Sequence, residues 1–158
     1  MDIQIRPAAA ADYDAVNRVF VSELAHHVAL LPDRFQMAEP VMRRQWIHDV
    51  LAAPEKILLL ALVDGAVVGL VLLIDSVSLD DVIYRPRRYL EVDELAILPE
   101  YRSRGIGRRL MEEAERFAAA RGIPTVELHV WEVNEQARAF YDRLGYRTIR
   151  RRLARTIS

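Results

Sequence analysis

The chain predicts a mixed α/β fold: a mostly antiparallel sheet with one parallel crossover and helices on both faces, in a single domain spanning residues 1–158. Three stretches carry that expectation. The apolar runs 57–63 and 66–77 flank Asp64-Gly65, a pair that tolerates the positive φ of a tight hairpin turn, so these two strands pair antiparallel. Residues 91–131 read as strand, glycine-containing loop, amphipathic helix and strand, a crossover that makes its two strands parallel. Two further helical patterns before residue 54 supply cover for the other face.

In order along the chain, Ile3 and Ile5 alternate with Gln4 and Arg6 in a first strand ending at Pro7. Asp12 is the expected N-cap of a helix carrying Tyr13, Val16, Val19, Phe20 and Leu24 on one face, with His26 and His27 near its end. Residues 30–40, punctuated by Pro32 and Pro40, read as a loop, and residues 41–53 as a second helix with Met42, Trp46, Ile47, Val50 and Leu51. The uninterrupted run 57–63 suits a strand buried on both faces, and Gly69 in its partner marks a bulge or a close backbone approach. Residues 79–88, including Asp80, Asp81, Tyr84 and Pro86, form a loop; the strand after it ends at Pro99, which cannot donate to a ladder. The crossover helix turns Ile106, Leu110, Met111, Ala114, Phe117 and Ala118 to one side and stops at Gly122 and Pro124. A strand at 125–130, a short helix from Asn134 to Leu144 closed by Gly145, and a last strand at 146–153 complete the expectation.

Length and composition narrow the function classes. The 158 residues suffice for a substantial core, and 52% hydrophobic with 28% charged residues is an ordinary globular balance. A net charge of −1 argues against electrostatic nucleic-acid binding by the whole molecule. Without cysteine there is no disulfide framework, thiolate zinc site or cysteine nucleophile. The N-terminal residues do not resemble a signal peptide, and the apolar region 57–74 is interrupted by Asp64-Gly65, so a cytoplasmic protein with no membrane or nucleic-acid partner is expected. The C-terminal arginines Arg147, Arg150, Arg151, Arg152 and Arg155 are read as protecting an edge strand from mispairing.

The stretch richest in chemistry is the loop after the central strand. Arg102, Arg104, Arg108 and Arg109 crowd a turn that Gly105 and Gly107 let bend, and the following helix start presents unpartnered amides and a positive dipole end. That is an anion cradle suited to phosphate. It is not a dinucleotide fingerprint, since Leu110 stands where the third glycine is needed, nor a Walker loop, since no Gly-Lys-Ser/Thr follows.

Residues 95–107, Leu-Ala-Ile-Leu-Pro-Glu-Tyr-Arg-Ser-Arg-Gly-Ile-Gly, resemble the acetyl-CoA-binding motif of the GNAT superfamily of N-acetyltransferases. Asn134, Ala137, Phe140-Tyr141 and Leu144-Gly145-Tyr146 resemble the family's second signature, and Ile3-Gln-Ile-Arg-Pro-Ala with Asp12-Tyr13 its usual opening. The resemblance implies a GNAT-like fold and transfer of an acetyl group from acetyl-CoA to a primary amine by direct attack in a ternary complex. It implies that Ser103, Arg104, Gly105, Ile106, Gly107 and Arg108 hold the pyrophosphate, with Arg102 and Arg104 adding positive potential. It further implies that the backbone of Leu95, Ala96 and Ile97 receives the pantetheine arm, helped by Asn134 and Ala137, and that an amide near Ile97 stabilises the thioester oxyanion, a donor worth ~3 kcal/mol. Tyr141 matches the tyrosine that protonates the departing thiolate; Asn134 can also serve as a helix N-cap.

An amine acceptor must lose a proton, and Glu94 is the first candidate for the base, with Glu91, Asp93 or water as alternatives. Strict alternation places Glu91 and Asp93 on one face and Glu94 on the other unless a bulge intervenes. His129 is expected inside the later strand, as a buried or rim residue. The acidic residues Asp80, Asp81, Glu91, Asp93 and Glu94 lean towards a cationic amine. No metal is expected, a homodimer through exposed edge strands is expected to form, and a CoA-sensing module that lost turnover is the competing class.

Overall fold

The computed structural model describes residues 2–78 and 82–157. Five strands lie in the order β1-β2-β3-β4-β5: Ile3–Pro7, Lys56–Val63, Ala66–Val77, Arg88–Ile97 and Val126–Leu128. The first four pair antiparallel, and β4 pairs β5 parallel. Helices α1 (Tyr13–Leu30) and α2 (Arg44–Ala52) precede β2, α3 (Ile106–Ala120) makes the crossover, and α4 (Glu135–Arg143) follows β5.

The sheet is buried on both faces, which is why β2 and β3 read as unbroken apolar runs. On one face Val16, Val19 and Phe20 of α1 and Ile47 and Val50 of α2 pack on Leu60, Leu70, Leu72 and Ala96. On the other, Ile106, Leu110, Met111 and Ala114 of α3 pack on Val68, Val71, Leu90 and Val92. Burying such side chains contributes about 1.5–3 kcal/mol each. Asp64 and Gly65 turn the β2–β3 hairpin with φ of 50° and 79°. The bulge expected near Gly69 is present: Ala61 faces Gly69 while Leu62 faces Val67, leaving Val68 as the extra residue.

Several expectations change. Asp12 does not cap α1; its carboxylate accepts from the amide of Ala9 at 2.7 Å and binds Arg6, closing the 3-10 turn that precedes the helix. The second helix begins at Arg44 rather than at residue 41, because Asn17 Oδ1 engages the amides of Val41 and Met42 at 3.0 and 3.4 Å and Tyr13 donates to the Met42 carbonyl. β4 starts at Arg88, earlier than expected, and β5 covers three residues instead of six. No strand forms over 146–153. Ile149 and Leu153 stand exposed there among four arginines, and the segment pairs with no described strand of its own chain, although the outer edge of β5 is free. Asp80 and Asp81, counted above among the acidic residues, lie outside the described residues.

Candidate active site

The site forms where β4 and β5 part. Their ladder holds only Leu90–Val126, Glu91–Glu127 and Val92–Leu128, so among the described residues the last part of β4 has β3 on one side and no strand on the other. Leu98 donates to the Val68 carbonyl at 2.9 Å, towards β3. Alternation along the strand then turns the peptide groups of Leu95 and Ile97 to the open edge and that of Ala96 to β3. Of the three backbones expected to meet the pantetheine arm, two face the opening.

At the end of β4 the chain passes through a 3-10 turn (Pro99–Tyr101) into the cradle. Ser103 and Gly105 adopt φ of 59° and 83°, and Gly105 is the residue that precedes α3. The first helical hydrogen bond runs from the amide of Arg109 to the carbonyl of Gly105, at 3.0 Å. The amides of residues 103–108 donate to no acceptor among the described residues and cluster at the positive end of a 15-residue helix. Gly107 sits against β4 and α4: a Cβ there would stand 3.1 Å from Ile97 Cδ1 and 3.2 Å from Phe140 Cζ. The small residue lets the helix start close onto the open strand end.

The arginines divide. Arg102 does not extend over the loop; its Nε donates to the Ile97 carbonyl at 3.0 Å and its Nη2 to Glu23 at 3.2 Å. Arg104 stacks over Tyr101 at 5.6 Å, Arg108 is exposed, and Arg109 reaches the Ile3 carbonyl at 3.4 Å. Positive potential at the cradle therefore comes from the amides, Arg104 and Arg108 rather than from Arg102.

Asn134, 8% exposed, caps α4: its Oδ1 accepts from the Ala137 amide at 3.1 Å. This occupies the Ala137 donor and leaves Asn134 Nδ2 without a partner among the described residues. Tyr141, one turn beyond Ala137, packs edge-on against Phe140 and Tyr146, and its hydroxyl bonds no described residue.

The carboxylates are rearranged by a second bulge. Leu72 faces Glu94 while Leu73 faces Val92, so Asp93 is the extra residue in β4. The alternation resets across it. Glu91 and Glu94 both lie on the face covered by α1, and Asp93 is exposed, in contrast to strict alternation. Burial, the charge of Glu23 and that of Asp93 raise the Glu94 carboxyl from its ordinary 4.5 to about 7. Burial, Glu23 and Glu94 hold the Tyr141 phenol well above its usual range, so it stays neutral. The two residues expected to move protons thus lie within each other's field. His129 is not buried; it follows β5 with its side chain exposed, 3.6 Å from Glu91.

Sequence reasoning missed Glu23. It extends the core-facing stripe Val16-Val19-Phe20 of α1 by one step, a carboxylate where the pattern wants an apolar residue, and that was the available signal. It also missed the aromatic bridge over the cleft, where Phe35 packs edge-on against Trp131 at 5.7 Å and stacks on His27 at 5.1 Å. A groove of about 600 Å³ between α1 and the start of β3, lined by Arg18, Ser22, Val67 and Tyr101, contains none of these groups.

Over residues 22–146 the sequence matches the model of the acetyltransferase (GNAT) family. The chain belongs to this family. Among its curated relatives, an uncharacterized N-acetyltransferase of Archaeoglobus fulgidus is 42% identical over 59 residues, covering 37% of this chain and 40% of the relative. One from Methanocaldococcus jannaschii is 42% identical over 60 residues, 38% and 26% of the two chains, so the matches span well under half the length of either relative. The GNAT fold is equally clear in solved structures. The BH1408 protein from Bacillus halodurans, as a tetramutant, superposes with a TM-score of 0.93 at 22% identity, over 98% of this chain and 99% of that one. The aminoglycoside N-acetyltransferase AAC(6')-Iy, solved in complex with CoA, gives 0.72 at 14% identity, over 98% and 99%. No helix among the described residues is long and apolar enough to cross a membrane.

Proposed function

We propose that this GNAT protein is an acetyl-CoA-dependent N-acetyltransferase acting on a cationic primary amine by direct transfer. One juxtaposition carries the reading: the amide cradle of residues 103–108 adjoins the open edge of β4, and Glu94 lies near enough for its charge to reach Tyr141. The donor set fits the co-substrate. Amides at a helix N-terminus suit a pyrophosphate. Leu95 and Ile97 offer backbone groups to an amide-bearing arm, and Asn134 Nδ2 adds a donor at the far side. AAC(6')-Iy, which shares the fold, was solved with CoA, in line with this assignment.

Acetyl-CoA supplies an activated acyl carbon, whose C–S bond breaks as its C–N bond to the amine forms. Glu94, ionised for about half of its molecules near neutral pH, accepts the proton that the attacking amine releases. Tyr141 O–H donates to the departing sulfur. Its raised proton affinity makes it a poor donor while both neighbouring carboxylates are charged. Glu94 loses its charge when it takes up the amine proton, which removes one of the fields holding the Tyr141 proton in place. Proton uptake at one group thus eases proton release at the other. The Ile97 amide, on the open edge, is the donor for the acyl oxygen.

Glu23, Glu91 and Glu94 on the cleft face favour a cationic acceptor. Acetyl-CoA is made and used inside cells, so a cytoplasmic setting accompanies this reading. A homodimer is also part of it. β5 pairs on one side only, and residues 146–157 carry exposed Ile149, Leu153 and Ile157. A strand edge and an unpaired segment on one molecule are self-complementary between two copies, an arrangement that closes as a two-fold dimer.

Thiol release from acetyl-CoA across a panel of polyamines, aminosugars, lysine and peptide N-termini tests the reading. Turnover with at least one amine is expected. Tight acetyl-CoA binding with no turnover on any amine favours a CoA-sensing module, and absence of binding removes both.

A further inference from the structure

Glu23 has a position that calls for an account. Helix α1 turns Val16, Val19 and Phe20 to the sheet, all at most 3% exposed. The next places on that stripe are Glu23 and His27, and the Glu23 side chain is only 14% exposed. A carboxylate on a core-facing stripe is costly unless charged donors meet it. Arg102 Nη2 does so at 3.2 Å, and His27 Nε2 lies 3.8 Å away. The same guanidinium holds the Ile97 carbonyl through Nε at 3.0 Å. A continuous path therefore runs from α1 through Glu23 and Arg102 to the end of β4, immediately before the cradle. An apolar residue at position 23 would leave Arg102 without its anionic partner.

Glu23 also lies within electrostatic reach of the two groups assigned to proton movement. Glu94 lies on the sheet face that α1 covers, and Tyr141 approaches from α4. Glu91 shares the face with His129 beside it, and Asp93 adjoins Glu94 on β4. Among these, Glu23 is the one charge that raises both Glu94 and Tyr141, after burial itself.

We infer that Glu23 is a positioning residue of this site: it anchors Arg102 on the Ile97 carbonyl and supplies the negative field shared by Glu94 and Tyr141. The inference rests on the reading of those two residues given above, but it makes a demand that can be met without turnover.

The experiment follows the Glu94 carboxyl by ¹³C NMR titration in the full chain, with Glu94→Gln used to assign its signal. Glu23→Gln should lower the Glu94 midpoint by roughly one pH unit, the effect of removing one nearby like charge. Arg102→Lys, which keeps a cation but loses the planar fork, should leave the midpoint raised while lowering kcat more than it changes KM for acetyl-CoA. Glu23→Asp retains the charge on a shorter stem. It should keep the midpoint raised but lower kcat, so it decides the matter if the glutamine variant does not fold. An unchanged midpoint in folded Glu23→Gln, or unchanged kcat in Glu23→Asp, overturns the inference. A lowered midpoint together with no transfer to any amine supports the field of Glu23 and overturns the acetyltransferase reading instead.

Discussion

Glu94→Gln should inactivate the protein and stabilise it, with a pH signature that isolates one carboxyl. Glu94 titrates at about 7 in the folded chain against an ordinary 4.5. The folded state therefore holds its proton over a range where the unfolded chain has lost it. Stability falls as pH rises from about 4.5 to about 7, and the full penalty is present above that window. At 1.36 kcal/mol per unit the shift amounts to about 3 kcal/mol, most of which accrues between pH 5 and pH 8. Glutamine keeps the shape without the charge. Urea denaturation of both proteins at pH 5 and pH 8 measures the difference, and the titrating groups outside the field of Glu94 cancel in the comparison. The gain of the variant over wild type should grow by about 2–3 kcal/mol between the two pH values. In parallel, wild-type kcat should rise through pH 7 as Glu94 ionises, and the variant should lose this rise along with roughly 10²-fold or more in rate. A stability difference independent of pH would refute both the buried, uncompensated carboxylate and the base role built on it.

Tyr141→Phe removes a hydroxyl that bonds no described residue, so stability should hold while kcat drops roughly 10²-fold and acetyl-CoA affinity stays close to wild type, as titration calorimetry would report. Asn134 separates by substitution: alanine forfeits the cap of α4 and should cost about 1 kcal/mol in denaturation, whereas aspartate keeps the acceptor for the Ala137 amide, restores stability, and still weakens acetyl-CoA binding because Nδ2 is gone. For the dimer, sedimentation at micromolar concentration should give a two-chain species that Leu153→Asp shifts to monomer; a monomeric wild-type chain would end that proposal.

The cradle was legible because its causes are local. Gly105, Gly107 and the helix that follows them sit in one short stretch, and the amides are orphaned by the geometry of any helix start. The hairpin at Asp64-Gly65 and the cap at Asn134 are local in the same sense. The tail was not: a last strand was expected over 146–153, but a strand persists only where a neighbour pairs with it, and within the chain none of the described strands does so.

The sequence by itself determined the order of elements as far as α4, the β2–β3 hairpin and the crossover, since turn chemistry and apolar periodicity act over a few residues. Tertiary structure decided which charges meet. Asp93 becomes a bulge only because β3 pairs on both sides of it, and that extra residue puts Glu94 on the α1 face beside Glu91. Glu23 reaches Arg102 across 79 residues of chain, and there it fixes a guanidinium that the loop alone appeared to offer to a phosphate. Proton affinities are set by burial and by such distant neighbours, so they came into view only once the sheet and α1 were in place.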